Sequence, residues 1–280
     1  MQGVYYTDKN YIYESSVKSI LSIRYATDGF SFCVHDEKDQ LVVFAHQPFQ
    51  VDSSDAVLAK VENYIVNDRI LNLKFKQVYV IPCSKAKNLI PSDFFQTDAL
   101  SLLYRIQQET NPEEELIYHH IERIDAYLVE GIPYKFHQFL REHYPAIEIA
   151  NSAYNLIRQA SAKTLRQMEQ LFVDIQDRYF DLLLFRDTRL LLFNSFHYQH
   201  QTDIVYFILN VLRESGAEKD NVHLSISGLP VKDQKFRGVL ESYIPHIYYP
   251  QEPILNTLLQ DKEFNNSYFI HLLNFHRCGL

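Results

Sequence analysis

The sequence contains one pattern of apolar and charged stretches twice, and this repeat constrains the fold more than any other feature. Residues 17–49 and residues 170–197 each contain an alternating apolar stretch, a second apolar run, a charged turn and a third apolar run that ends in an aromatic residue. Alternation with a period of two indicates β-strands, and self-similarity within a chain indicates duplicated structural units. The sequence therefore predicts two similar lobes that face each other across a cleft.

Each copy continues in the same order beyond its third strand. Ser53-Ser54-Asp55 is typical of a helix start, and an apolar strand over residues 78–81 follows that helix. In the second copy Thr202-Asp203 has the character of a helix start, and residues 222–226 form the matching strand. Another helix and a short last strand complete both copies. The order β-β-β-α-β-α-β predicts a mixed sheet with helices packed against it in each lobe.

One segment of the first copy has no counterpart in the second. Residues 84–123 contain a predicted helix and a predicted strand of their own. We therefore expect a small α+β subdomain inserted in lobe one. On this division lobe one spans residues 1–160, and lobe two spans residues 161–280 and ends in an apolar helix around residues 268–275.

The charge balance limits the classes of partner. The chain has 27 Lys and Arg against 35 Asp and Glu, a net charge of −8, whereas a protein that binds the nucleic-acid backbone needs a basic surface. No apolar run approaches the length of a membrane span, and the N-terminus lacks the basic start and apolar stretch of a signal peptide. We expect a cytoplasmic protein with a protein partner, no membrane span and no nucleic-acid ligand.

The order of predicted elements, together with three motifs, resembles the actin-like ATPase superfamily. The motifs are residues 126–133 with the helix that follows them, residues 173–175 together with residues 185–190, and residues 267–273. The insertion resembles the branch that contains the cell-division actin homologue and the pilus-assembly actin-like proteins, and the whole pattern resembles a Bacteroidetes family of unknown function. The resemblance implies an α/β fold of two tandem ribonuclease H-like lobes with mixed β-sheets and a small α+β insertion in lobe one.

The chain departs from that superfamily where active members bind nucleotide. Those members carry an Asp-x-Gly turn after the first strand of each lobe, in which the Asp residues manage Mg²⁺ and water while Gly amides hold phosphates. Here Arg24 and Ala26 replace the Asp and Gly of lobe one, whereas lobe two keeps Asp174 and has Gln176 in place of its Gly. We therefore expect no cofactor and no efficient ATP hydrolysis. Mg²⁺–ATP is the alternative.

The candidate site residues follow from the same comparison. Arg24 and Asp174 occupy equivalent positions, and they could pair across the cleft in place of the lost metal. Two unrelated, solvated residues near strand ends are the alternative. The predicted cleft residues are Arg24, Asp28 and Asp174. The candidate nucleotide-binding residues, which are what remains of the superfamily pattern, are Asp174, Asp177, Ser227 and Gly228.

Three functions stay open. The motif losses favour a non-catalytic protein-interaction or scaffold protein. The retained residues are compatible with an ATP-binding protein or weak ATPase that uses the interlobe cleft. The ribonuclease H-like topology allows a nuclease-like enzyme, for which Asp174, Asp177 and Asp181 would have to cluster around metal ions, although the acidic net charge opposes a nucleic-acid substrate.

No metal site is expected from the histidines. His271, His276 and Cys278 lie on or near the last predicted helix, but their spacing does not place them on one helix face. We interpret all three as structural residues.

Overall fold

The alternating apolar residues of both repeats form β-strands in the computed structural model, which describes residues 3–49, 51, 53–108, 112–229, 233–252, 254–259 and 265–277. The strands are β1 Val4–Thr7, β2 Ile20–Ala26, β3 Gly29–His35, β4 Leu41–Pro48, β5 Gln77–Pro82, β6 Lys87–Pro91, β7 Glu114–Ile121, β8 Ala126–Pro133, β9 Ile147–Ile149, β10 Glu169–Ile175, β11 Tyr179–Arg186, β12 Arg189–His197, β13 Val222–Gly228 and β14 His246–Tyr248.

The helices lie between and after these strands. The α-helices are α1 Ser54–Asn67, α2 Leu100–Arg105, α3 Tyr134–His143, α4 Ser152–Lys163, α5 Gln201–Ser215, α6 Gln234–Glu241, α7 Ile254–Leu259 and α8 Ile270–Asn274. Short 3-10 helices span Tyr13–Lys18, Ser92–Phe94, Glu122–Ile124, Asn266–Phe269 and Phe275–Arg277. Among the described residues, no helix combines the length and the apolar character needed to cross a membrane.

The chain divides into two compact units. The first comprises Met1–Ile121, Asp125–Tyr154 and Leu272–Leu280, and the second comprises Glu122–Ile124 and Asn155–His271. The sequence pattern predicts the C-terminal helix in lobe two, whereas Leu272–Arg277 group with the first unit. The reason is packing against residues distant in the sequence, since the Phe275 ring is buried with its centroid 5.5 Å from that of Tyr79.

The first unit is built on a six-stranded sheet in the order β1-β4-β3-β2-β5-β9. Strand β2 pairs antiparallel with β3 and parallel with β5, so the sheet is mixed. Its apolar face packs against α1 and α3, and the core contains Leu21 and Ile23 of β2 with Val61 of α1 and Phe136 of α3. Helix α1 begins as predicted, because the Ser53 hydroxyl accepts the N–H of Ala56 at 3.2 Å.

The second unit repeats this arrangement without the first edge strand. Its five-stranded sheet has the order β12-β11-β10-β13-β14, which matches β4-β3-β2-β5-β9 strand for strand. Val173 of β10 packs with Ile208 of α5 and Leu240 of α6 in its core. The predicted mixed α/β fold is confirmed, and the same strand order occurs in both units. Helix α5 begins before the predicted Thr202-Asp203, because the Asp203 carboxylate reaches back to accept the N–H groups of Gln199 and His200, both at 2.9 Å.

The insertion in the first unit is a small sheet covered by one helix. Strands β6, β8 and β7 pair in that order, and β8 is antiparallel to both neighbours. Leu100 and Tyr104 of α2 pack against Ile90 and Val129 of the sheet. The predicted helix and strand are present, and β8 extends the subdomain beyond residue 123.

Candidate functional site

Four polar residues form a continuous row across the sheet of the second unit, and we call them the carboxylate row. They are Ser195 of β12, Asp181 of β11, Asp174 of β10 and Ser227 of β13, each paired in register with the next. Residues paired in register lie side by side on one face of a sheet. Because Val173 points into the apolar core and side chains alternate along a strand, the row lies on the opposite face.

Asp174 is the most constrained member of the row. It is only 2% exposed. Its Oδ1 accepts a hydrogen bond from the Ser227 hydroxyl at 2.8 Å, its Oδ2 accepts one from the Gln176 amide at 2.5 Å, and the His271 Nε2 lies 3.3 Å from Oδ1. Burial by itself would raise the pKa of Asp174, but His271 and the hydrogen bonds from Ser227 and Gln176 outweigh it and lower the pKa. The carboxylate is therefore ionised and held by its neighbours.

The second carboxylate, Asp181, is fully buried beside Asp174. The Ser195 hydroxyl donates a hydrogen bond to its Oδ1 at 2.5 Å. Asp177, by contrast, lies half-exposed in the turn after β10, with an oxygen 3.5 Å from the Arg178 Nε. Within the described part of the chain, Asp174, Asp177 and Asp181 do not bring their oxygens together into a metal-binding set, which is the arrangement that the nuclease hypothesis needs.

Gly228 is required by the backbone around it. Its φ of +106° lies in a region that other residues rarely adopt, and a Cβ there would stand 2.0 Å from the carbonyl oxygen of Ile175. The Gly228 N–H donates to the Ser267 hydroxyl at 3.3 Å, and the Asn265 amide donates to the Gly228 carbonyl at 3.2 Å. Both backbone groups of this glycine are thus engaged by the segment that precedes α8.

A small cavity lies next to the row. Its lining includes Ser227, His271 and Gln159, and its volume is about 30 Å³. That volume accommodates one or two water molecules and is too small for a triphosphate.

The first unit has a cation where the second has Asp174. Arg24 of β2 is paired with Ser31 of β3 and with Ile81 of β5. Asp174 occupies the equivalent position in the second unit, where it is paired with Asp181 and Ser227. One guanidinium nitrogen of Arg24 lies 3.6 Å from Oδ1 of Asp28. Because Arg24 and Asp174 are each 2% exposed, the interpretation as solvated residues is wrong. The pairing of Arg24 with Asp174 stays a prediction.

Some of these residues could be identified from the sequence, and others could not. Asp174 and Ser227 were predicted, and the structure brings them together, whereas Asp177 lies outside the row. Ser195 could have been found by extending the predicted hairpin register by one strand. Residues 267–273 stand out in the sequence as a motif, but the contacts of His271 and Ser267 were missed, because these residues approach β10 and β13 from a distant part of the sequence.

Solved structures define the class of fold. A Bacteroides thetaiotaomicron VPI-5482 protein with an actin-like ATPase fold and unknown function superposes with a TM-score of 0.79 at 23% identity, covering 94% of this chain and 98% of that chain. A chain of the PilM–PilN type IV pilus biogenesis complex superposes with a TM-score of 0.58 at 11% identity, covering 94% of this chain and 99% of that chain. The protein therefore has the actin-like ATPase fold.

The family follows from the sequence itself. Residues 8–247 match the family described as "Protein of unknown function (DUF3822)", and the chain belongs to that family. No curated protein gives a significant match to the sequence.

Replacing Asp174 by Asn tests the role of the buried carboxylate. Because its folded-state pKa is lowered, the ionised group stabilises the fold above its unfolded-state pKa, and this stabilisation is lost as the pH falls through the folded-state value. We expect Asp174→Asn to lower the free energy of unfolding at neutral pH by about 1–3 kcal/mol. Below about pH 4 we expect the unfolding free energy of the variant to fall less steeply with decreasing pH than that of the wild type. Urea unfolding across a pH series measures both effects.

Asp177→Asn is the matched control, since Asp177 is half-exposed in the adjacent turn. We expect it to change the unfolding free energy by less than about 0.5 kcal/mol and to keep the wild-type pH dependence. If Asp174→Asn had the wild-type free energy of unfolding at every pH, the carboxylate charge would not contribute to stability.

Proposed function

We propose that this protein is a non-catalytic protein-interaction or scaffold protein that keeps the actin-like fold around a degenerate nucleotide site. The observation that carries the proposal is the buried Arg24 at the register of Asp174. The resemblance to active superfamily members implies a metal-managing Asp at both positions. A guanidinium at one of them replaces a carboxylate oxygen, which Mg²⁺ prefers as a ligand, by a cationic group that cannot coordinate the ion.

The contacts of Asp174 and Gly228, the residues that match the superfamily pattern, support the same proposal. The oxygens of Asp174 already accept hydrogen bonds from Ser227 and Gln176. The Gly228 N–H, which would otherwise be available to a phosphate, donates to Ser267. A magnesium nucleotide would have to replace interactions that the fold makes with its own side chains. The ionised Asp174 is nevertheless a possible Mg²⁺ ligand, so ATP binding with weak hydrolysis is the second candidate function.

A protein partner is supported by the likeness to a chain of the PilM–PilN complex and by exposed apolar residues in the insertion. Phe94, Leu102 and Ile106 are 68%, 69% and 72% exposed, and we call them the insertion patch. The other side of α2 is already used, because Leu100 and Tyr104 pack into the subdomain core. We propose that the insertion patch contacts the partner, because all three large apolar side chains are exposed although they belong to one segment, residues 94–106.

Thermal unfolding with millimolar Mg²⁺–ATP separates the two candidate functions. A ligand that binds only the folded state, at a tenfold excess over its Kd, contributes about 1.4 kcal/mol. We expect no change in Tm, because Arg24 opposes the metal. Mg²⁺ alone serves as the control, and an active ATPase of the same fold shows that the assay detects binding. A rise of several degrees that needs both metal and nucleotide would favour the ATP-binding alternative.

Charged substitutions in the insertion patch test the partner surface. Leu102→Asp combined with Ile106→Asp should leave the unfolding midpoint nearly unchanged, because both side chains are exposed. Some proteins will cross-link to the wild-type chain in its native cells, and we expect that they do not cross-link to this variant. Tyr206→Asp, a 63% exposed position on α5, is the matched control and should retain them. Equal retention by both variants would place the partner surface elsewhere.

A further inference from the structure

A cluster of two histidines and one aspartate lies in the first unit and has no part in the proposed function. His35 ends β3, Asp39 lies in the turn between β3 and β4, and His276 lies in the 3-10 helix Phe275–Arg277. One potential ligand atom from each side chain lies within 4.8 Å of the other two. We propose that His35, Asp39 and His276 bind a divalent transition-metal ion of the zinc type, with water completing the coordination.

The two rings already lie together with the carboxylate. Their centroids are 3.9 Å apart with an interplanar angle of 29°. The His276 Nε2 is in direct hydrogen-bond contact with Asp39 Oδ1. A metal ion bound here would take the place of the proton between these two groups, with the His35 ring turned so that one of its nitrogens also faces the ion.

A buried nitrogen without a partner also indicates a ligand. The His276 side chain is only 5% exposed. Its Nδ1 is buried, and none of the described residues forms a hydrogen bond with it. Buried polar atoms in native proteins nearly always have a partner, and an unsatisfied one calls for a water, an ion or a metal. Metal coordination by this ring would either use that nitrogen directly or let it carry the displaced proton.

The chemistry of the three groups suits such an ion. Neutral imidazole and carboxylate are common ligands of Zn²⁺. A neutral imidazole ring offers one nitrogen lone pair to a metal, and a carboxylate offers its oxygens.

The surroundings of Asp39 hold it in place. The Arg277 Nε donates to Asp39 Oδ2 at 3.0 Å, which leaves Oδ1 on the side of His276. Outer hydrogen bonds of this kind orient carboxylate ligands in metal sites. The turn itself is fixed by Asp36, whose carboxylate accepts the N–H groups of Lys38 and Gln40.

The metal would have a structural role, because it would link two segments that are distant in the sequence. Asp39 and His276 are separated by 237 positions in the sequence, and the ion would join the Phe275–Arg277 turn to the β3–β4 hairpin of the same unit. This differs from the expectation that His276 is merely structural in a group with His271 and Cys278. Cys278 lies outside the described residues, and the neighbours of His276 are His35 and Asp39.

Titration of zinc chloride into the EDTA-treated full-length chain tests the proposal. We expect one zinc ion per chain by calorimetry and elemental analysis, and a Tm that rises with zinc concentration. Asp39→Asn and His276→Gln should each weaken zinc binding by at least about tenfold. Asp39 has a φ of +62°, which Asn tolerates well, so Asp39→Asn preserves the turn and gives a result even if His276→Gln does not fold.

His120→Gln is the matched control. His120 is an exposed histidine with an aspartate partner, at 3.3 Å from Asp125, so unlike the buried His276 it reports zinc binding to a surface His–Asp pair. We expect its zinc affinity to equal that of the wild type. Wild-type affinity in Asp39→Asn, or an equal loss in His120→Gln and Asp39→Asn, would overturn the proposal. Neither result depends on whether the protein binds nucleotide.

Discussion

The parallel pairing of β10 with β13 determines the polar chemistry of the second unit, because it brings the Ser227 hydroxyl beside the buried Asp174 carboxylate. A buried charge is costly unless its oxygens are hydrogen-bonded. Each group that holds Asp174 is positioned by the fold: Ser227 by β13, Gln176 by the end of β10, and His271 by α8. The same interactions that stabilise the buried charge engage both oxygens of the carboxylate.

The two units share the order of their sheet strands and differ in the polar side chains on one face of the sheet. Their strand orders coincide, and in each unit one face of the sheet packs against helices in an apolar core. The opposite face carries different polar residues in the two units. At one register the first unit has Arg24 and the second has Asp174. The same strand order therefore holds different chemistry at equivalent positions.

Most of the fold could be predicted from the sequence, and the errors have physical causes. The first strand of each repeat was predicted because apolar residues on the face that packs against the helices alternate with residues such as Ser22, Arg24 and Asp174 on the other face. Strand β1 was missed because Val4–Thr7 lies at an edge and is only partly buried, so its sequence shows no alternation. The packing of Leu272–Arg277 in the first unit depends on distant contacts such as that between Phe275 and Tyr79, which leave no local pattern.

The candidate site was predictable only in part for the same reason. Asp174 and Ser227 stand at positions that the superfamily pattern marks, whereas the contact of His271 with Asp174 requires knowledge of how a distant helix packs. A crystal structure grown with Mg²⁺ and a non-hydrolysable ATP analogue tests most directly the proposal that the nucleotide site is degenerate. We predict that Asp174 keeps its hydrogen bonds to Ser227 and Gln176 and binds no metal. A Mg²⁺ ion coordinated by Asp174, with nucleotide phosphates beside Gly228, would contradict the proposal.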